Sequence, residues 1–516
     1  MNGFSAKEYL SLKMPTDDNS LSDQQRIRLA LETLGYEHIT FPLPILRKLY
    51  PLCRDANFDV TVTLVYRGAD WVVTDVEAGD TTADHYGLAV DYGSTTVVMQ
   101  LVDMTSGTVI GEESAVNGQV RYGTDILTRI TYVMEEKSRG EDLQRATVET
   151  FQELLSRLTE STGIDARTCP VMVVSGNTTM IHFLLGLDAW TVFASPYAPV
   201  TGDPGIFRGG ELDMDYDGFI YIVPAASNYI GGDIVSGLLM LQIHKKEETG
   251  LFFDIGTNGE LVIGNNQWMM AGAGAAGPAL EGYISRYGMR AAPGAIDKVY
   301  ISGEKLQFTT IGGERPVGIC GSGIIDLLAG MRLNGWIDIA GDLNPAASAR
   351  IRYLPEEKEY AAVYATEEES ATGEALYFSQ TDIRQYLETK AAAHTMVECL
   401  LEFAGVGMED ISRCYLSGAF SAHSDLESAI TIGMFPDIPR QKYSAIRNTS
   451  LEGAREILLD RVRLQEAREL IDSIYCVQFA SVLDFTVRMQ AAKFIPHTDM
   501  NRYPTVKEKL KRKNRT

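Results

Sequence analysis

The hydrophobic pattern is loose at the start of the chain and sharpens after residue 84. Behind Ser22 and Gln25, a capping-box pair, Ile27, Leu31 and Leu34 recur on one helical face, and Gly35 stands where such a helix ends. A stretch punctuated by Pro42, Pro44 and Pro51 leads to Asp59-Val-Thr-Val-Thr-Leu-Val-Tyr66, which reads as a strand. Arg67-Gly-Ala-Asp70 turns it into a second strand, Trp71-Val-Val-Thr-Asp-Val76. These elements predict a small α+β domain over residues 1–80.

From Gly87 the pattern becomes a run of hairpins. Gly87-Leu-Ala-Val-Asp-Tyr-Gly-Ser-Thr-Thr-Val-Val-Met-Gln-Leu-Val102 is an apolar strand, a turn of acid, glycine and hydroxyls, and a second apolar strand. Leu251-Phe-Phe-Asp-Ile-Gly-Thr-Asn-Gly-Glu-Leu-Val-Ile263 repeats it. Asp91 and Asp254, 163 residues apart, head the two hairpins. A duplication of this kind predicts two related α/β lobes, 84–250 and 251–495. Helical spacing covers 123–136, 142–162, 178–187, 233–242 and 321–333. Residues 341–379 are polar and acid-rich around Glu367-Glu-Glu369, and read as a loop-like insertion. A helix opens at Thr381 and runs to about Gly405, and Cys414-Tyr-Leu-Ser-Gly-Ala-Phe420 reads as a strand entering a glycine turn. Residues 496–516 form a basic tail.

Composition narrows the function. The 516 residues carry 46 Lys and Arg against 69 Asp and Glu, a net charge of −23, with 45% hydrophobic residues. That balance buries large cores and argues against a binder of nucleic acid or of anionic membrane. No apolar run approaches the roughly 20 residues of a membrane span, and the start lacks a signal-peptide pattern, so a cytoplasmic protein is expected. The six cysteines (Cys53, Cys169, Cys320, Cys399, Cys414 and Cys476) include no Cys-x-x-Cys pair. Zinc ribbons and ferredoxin-type loops are therefore not expected.

The repeated turns have the chemistry of a nucleotide site. Glycine lets the backbone approach a phosphate, turn amides accept negative charge, and Ser94, Thr95 and Thr96 offer hydroxyl donors. An aspartate suits a hydrated Mg²⁺. Leu416-Ser-Gly-Ala-Phe420 is either a plain tight turn or a small-residue shelf for an adenine ring. Ala275-Ala-Gly-Pro-Ala-Leu-Glu-Gly282 is either a close helix contact or a helix start aimed at phosphate or ribose. His182 and His423 are candidate neighbours of a nucleotide or corrinoid, although isolated histidines are more often structural. Cys320, ahead of Gly-Ser-Gly at a helix start, is a reactive thiol or a buried small residue. Trp268-Met-Met270 reads as core.

The order of these motifs resembles the ATPase core of acetate and sugar kinases, Hsp70 and actin (ASKHA). More narrowly, the chain resembles the reductive activators of corrinoid proteins. Asp91-Tyr-Gly-Ser-Thr-Thr96, Val174-Ser-Gly-Asn-Thr-Thr-Met180, Ser195-Pro-Tyr-Ala-Pro199 and Tyr229-Ile-Gly-Gly-Asp233 carry that likeness. So do Asp254-Ile-Gly-Thr-Asn-Gly-Glu260, Ala275 to Gly282, Gly318-Ile-Cys-Gly-Ser-Gly-Ile-Ile-Asp326 and Leu416 to Phe420. The resemblance implies an α/β fold, a duplicated ASKHA core preceded by the small α+β domain. It also implies ATP-driven conversion of cob(II)alamin to cob(I)alamin in a corrinoid protein or corrinoid-dependent methyltransferase.

By position, the resemblance makes Asp91, Gly93, Ser94 and Thr95 the first phosphate loop and Asp254, Gly256, Thr257 and Asn258 the second. Gly277 would contact nucleotide, Gly418 and Ala419 would face adenosine, and Asp91 and Asp254 would be the catalytic and Mg²⁺-holding acids. Such activators usually carry an iron–sulfur domain. With no cysteine pair here, no cluster is expected in this chain, and the electron would come from a separate ferredoxin-like donor. The alternative is a non-redox ATP-driven chaperone or cofactor-loading factor for the same kind of partner. A homodimer is compatible with either.

Overall fold

The computed structural model describes residues 3–256, 259–274, 282, 284–418, 424–479 and 482–513. The chain divides into two compact units: residues 1–242 with 449–473, and residues 243–448 with 474–516.

The first unit begins with strands β1 (Ser5–Ser11), β2 (Ile39–Thr40), β3 (Asp59–Tyr66) and β4 (Trp71–Ala78), in the order β1-β3-β4-β2. Helix α1 (Asp23–Thr33) starts at the expected capping box: Ser22 Oγ accepts from Gln25 N, and the Gln25 side chain accepts from Ser22 N. Helix α2 (Leu43–Asp55) buries Ile45, Leu49 and Cys53 against Val60, Val62 and Leu64.

Next comes a six-stranded sheet built from β5 (Tyr86–Tyr92), β6 (Thr96–Asp103), β7 (Val109–Val116), β8 (Val171–Gly176), β9 (Ile206–Arg208) and β10 (Phe219–Ile222). Its order is β7-β6-β5-β8-β10-β9. The central parallel pair β5 and β8 is apolar on both faces, as a strand covered by helices on each side must be. Those helices are α3 (Ile126–Glu135), α4 (Gly140–Thr162), α5 (Thr178–Leu184), α6 (Trp190–Phe193) and α7 (Gly232–Leu241). The later helices Thr449–Leu459 and Val462–Ser473 complete the unit. Thr449–Leu459 lies tightly on α7, because a Cβ at Gly453 would fall 2.1 Å from the Ser236 carbonyl oxygen. Only glycine permits that approach.

The second unit repeats the plan with insertions. Strands β11 (Gly250–Ile255), β12 (Gly259–Gly264) and β13 (Met269–Gly274) form two successive hairpins. Two small sheets follow: β14 (Ala295–Ser302), β15 (Lys305–Thr310) and β16 (Gly318–Ile319), then β17 (Ile351–Leu354), β18 (Glu359–Ala365) and β19 (Leu376–Ser379). Helices α8 (Gly321–Leu333) and the 25-residue α9 (Gln380–Ala404) pack with them. The main sheet then closes with β20 (Arg413–Ser417), β21 (Tyr443–Ala445) and β22 (Ile474–Cys476), in the order β21-β20-β11-β12-β13-β22.

The loop-like reading of 341–379 is corrected here, since β17, β18 and β19 form an antiparallel sheet within it. Ala361, Ala362, Val363, Tyr364 and Ala365 bury that sheet, while Arg350 and Arg352 pair with Glu369 and Glu367 at its rim. The acid run is thus matched by basic partners.

Candidate functional site

In the first unit, β5 carries Asp91 to the sheet's edge and the chain reverses through Gly93, Ser94 and Thr95 into β6. All four residues expected for the first loop are brought together. A Cβ at Gly93 would sit 2.5 Å from the Thr96 carbonyl oxygen, so the tightness of the turn requires glycine. Parallel pairing with β8 puts Asp91 opposite Ser175 and Tyr92 opposite Gly176. Ser450, on the helix Thr449–Leu459, donates to Asp91 Oδ1 at 2.8 Å. Its hydroxyl is 3.0 Å from Ser175 Oγ, which is itself 2.9 Å from Ser236 Oγ. A line of serine hydroxyls therefore stands behind the half-buried aspartate.

A second carboxylate belongs to this face. Asp233, in the first turn of α7, takes a hydrogen bond from Ile234 N at 2.9 Å. Burial, and then the negative charge of Asp91, hold its carboxyl above the usual carboxylate range. Gly231 and Gly232 permit the placement: a Cβ on Gly231 would lie 2.5 Å from Asn177 Cα, and one on Gly232 would lie 2.6 Å from the Val223 carbonyl oxygen. Sequence reasoning singled out the Gly-Gly-Asp motif but gave Asp233 no role. An acid at a helix start reads as a response to the helix dipole, and only the fold shows that it faces a second acid.

The loop is also held from its inner side. Asn117 Nδ2 donates to the Gly93 carbonyl at 2.9 Å, Arg129 Nη2 to the Ser94 carbonyl at 2.6 Å, and Asn117 N to the Thr95 carbonyl at 3.0 Å. Asn117 and Arg129 have no solvent exposure.

In the second unit the strand end is built the same way. Asp254 pairs with Glu260 on β12 and with Ser417 on the parallel strand β20. Gly418, φ +92°, follows at once, and a Cβ there would lie 2.4 Å from the Ile255 carbonyl oxygen and 3.1 Å from Asp254 Oδ1. Gly418, read from sequence as a separate turn facing adenosine, stands beside the second loop's own aspartate. At Gly256, among the described residues, a Cβ would meet nothing within 4 Å. Thr257, Asn258, Gly277, Ala419 and His423 lie outside the described residues.

The other candidates are structural. His182 is buried: Nδ1 pairs with the Thr178 carbonyl at 2.7 Å and Nε2 accepts from Val200 N at 3.1 Å, which occupies both nitrogens. Cys320 caps α8 from a buried position, its sulfur 3.3 Å from the Ile296 carbonyl oxygen. Among the described residues, one group has metal-ligand chemistry: His394, Glu398 and His497. It is already wired internally. His394 faces Glu398 and Tyr503, His497 Nδ1 accepts from Asp499 N, and Arg502 pairs with Glu398. The ammonium of Lys390, fully buried nearby, donates to the carbonyls of Ala492, Phe494 and Pro496. Positive groups already stand where a cation would.

Comparison with known proteins agrees with this construction. Residues 1–83 match the linker region of RACo, 86–246 its middle region, and 248–507 its C-terminal ASKHA domain. The corrinoid activation enzyme RamQ of Eubacterium limosum is 30% identical over 444 residues, covering 82% of this chain and 74% of that protein. A Co(II) methylated amine-specific corrinoid protein reductase of Methanosarcina barkeri is 24% identical, covering 75% of this chain and 73% of that protein. A solved structure described as a reductive activator for corrinoid, iron–sulfur protein superposes with a TM-score of 0.89 at 35% identity, covering 98% of this chain and 81% of the other. Linker, middle and ASKHA regions in sequence, on a duplicated α/β core, place this chain in the family of reductive activators of corrinoid proteins.

Proposed function

We propose that the chain uses ATP to reactivate a corrinoid protein, returning cob(II)alamin to cob(I)alamin with an electron from a separate low-potential donor. The observation that carries the reading is the repeated strand end. Asp91 with Ser175-Gly176 and Asp254 with Ser417-Gly418 occupy equivalent registers in two sheets of a chain 35% identical to a corrinoid activator.

The residues fit a nucleotide triphosphate and its metal. Glycine-bounded turns bring amides and hydroxyls to the sheet edge, and a carboxylate stands at each. Asp91 and Asp254 would hold Mg²⁺, which supplies charge neutralisation for phosphoryl transfer. Asp254 would orient the attacking water, and Ser94 and Thr95 would donate to phosphate oxygens. Gly277, Thr257, Asn258 and Ala419 would complete the nucleotide contacts. Hydrolysis yields ADP and phosphate, and its free energy biases which conformation of the complex persists, because coupling requires unequal binding of two states.

The electron is assigned to a separate donor because the six cysteines include no Cys-x-x-Cys pair. Burial pushes Cys53 up to about 11 and Cys169 up to about 12, and raises Cys399 and Cys414, so these thiols stay protonated and unreactive.

The test is anaerobic. The chain, Mg-ATP, a low-potential reductant and a cob(II)alamin protein are mixed while the cobalt absorbance is followed. We expect an ATP-dependent cobalt(I) spectrum that Asp254→Ala abolishes. ATP turnover without any cobalt change across several corrinoid partners would overturn the reading in favour of a loading factor.

A further inference from the structure

We infer that Arg129 and Asn117 are positioning residues for phosphate: from behind the first loop they fix its carbonyls so that consecutive backbone amides face a bound phosphate. The inference rests on the nucleotide reading above and adds to it the groups that hold the loop in its binding form.

The argument begins with the planar trans peptide, in which the carbonyl of one residue and the N–H of the next point in opposite directions. Asn117 Nδ2 holds the Gly93 carbonyl on the buried side, so the Ser94 N–H points away from Asn117. Arg129 Nη2 holds the Ser94 carbonyl on the buried side, so the Thr95 N–H points away from Arg129. Two successive amides turned to one side make an anion-binding concavity. Consecutive carbonyls turned the same way depart from the alternation of a strand, so the turn needs something to hold them. The two buried side chains supply it.

The holders are themselves held. Asn117 Oδ1 accepts from Gln119 N at 3.0 Å, which fixes the amide so that Nδ2 must face the loop. Arg129 Nε donates to the Gly123 carbonyl at 2.9 Å, and Nη1 to Gln119 Oε1 at 3.2 Å. Gln119 Nε2 is within 3.1 Å of Tyr92 Oη and 2.8 Å of Thr147 Oγ1, both buried. Burying a guanidinium is costly, and its bonds to the Ser94 and Gly123 carbonyls and to Gln119 Oε1, with Met180 Sδ 3.4 Å from Nη1, tie it to one loop shape. Asn117 and Arg129 thus tie the end of β7 and the first turns of α3 to the turn between β5 and β6. Their effect on ATP passes through the loop backbone, without contact to the nucleotide.

Three variants test this by calorimetric ATP and adenosine titration with Mg²⁺ present. Arg129→Met keeps length and bulk but removes the donors, and Arg129→Lys keeps one. Asn117→Asp keeps the acceptor for Gln119 N and loses the donor to Gly93. We expect Arg129→Met and Asn117→Asp to weaken ATP binding roughly tenfold or more, with adenosine binding unchanged and Arg129→Lys partly restored. A purely structural role would weaken both ligands together or lower the melting temperature alone. Folded variants that bind ATP as tightly as the wild type overturn the inference, and Asn117→Asp decides the matter if Arg129→Met does not fold. A wild-type chain that binds no ATP overturns the nucleotide reading itself, which is a separate result.

Discussion

The two large sheets share a five-strand core and differ in what is fastened to it. β7-β6-β5-β8-β10 and β13-β12-β11-β20-β21 have the same order and the same parallel and antiparallel pairings. The extra strand lies at opposite edges, β9 beside β10 in one unit and β22 beside β13 in the other. Around Asp91 stand Ser450, Asp233, Asn117 and Arg129, so this strand end is braced. Around Asp254 the described neighbours are Glu260 on β12, Ser417 on β20 and the backbone at Gly418, φ +92°. Topology fixes where an acid can stand, and the groups gathered around it are not repeated with the strands.

If Asp91 positions and Asp254 acts on the attacking water, the two should fail differently. Asp254→Ala should cut ATP hydrolysis by about 10²–10³-fold, and Asp91→Ala by roughly tenfold to a hundredfold, in single-turnover assays. Equal losses would show that the halves contribute alike.

Acid provides a second contrast. His85, in the first unit, lies 2.7 Å from Ser5 Oγ; burial, and then Lys7, depress its pKa to about 4, with Asp103 opposing. An unfolded histidine takes up its proton near pH 6.5, so this group's stability is present above 6.5 and is lost as pH falls through about 4. The loss reaches about 3 kcal/mol. In the second unit His394 is depressed by burial and by Lys390, His497 and Arg502, and His497 by burial and Lys390, against the opposing Asp499. Each unit holds two such groups, since burial also lowers His182 in the first. The second unit should open first below pH 6, read by hydrogen exchange resolved along the chain, because His394 is held well below the ordinary value by burial and three positive neighbours. First-unit amides exchanging earlier would contradict this, and His85→Gln should flatten the first unit's response.

Smaller effects are expected at the matched glycines. Gly418→Ala should destabilise the second unit by about 2 kcal/mol, because alanine resists φ +92° and its Cβ would press on Ile255. Gly176→Ala, whose Cβ would lie 2.9 Å from the Tyr92 carbonyl oxygen, should cost about 1 kcal/mol. Calorimetric melting separates the two, and a larger loss at Gly176 would reverse the assignment of strain.

What could be read from sequence was what lies close along the chain. The hairpins at Asp91 and Asp254 show themselves because strand, turn and strand follow within a few residues, and the capping box at Ser22 is equally local. The likeness of Ser175-Gly176 to Ser417-Gly418 stays hidden until parallel pairing sets each beside its aspartate. Arg129 inside an amphipathic helix reads as a solvated position, and nothing local says that it is buried. β17 and β18 escape notice because strands of mixed charge and short length, such as Ile351–Leu354, carry little alternation.

The stretch between β13 and α9 has an evolutionary consequence. Two complete three-stranded sheets and a helix lie within it, while Asp254 and Ser417 remain in register at either side. Material of this size sits between the two strands without displacing the strand ends that carry Asp254 and Ser417. Exchange of these modules is therefore a change that the strand ends can absorb without losing their register.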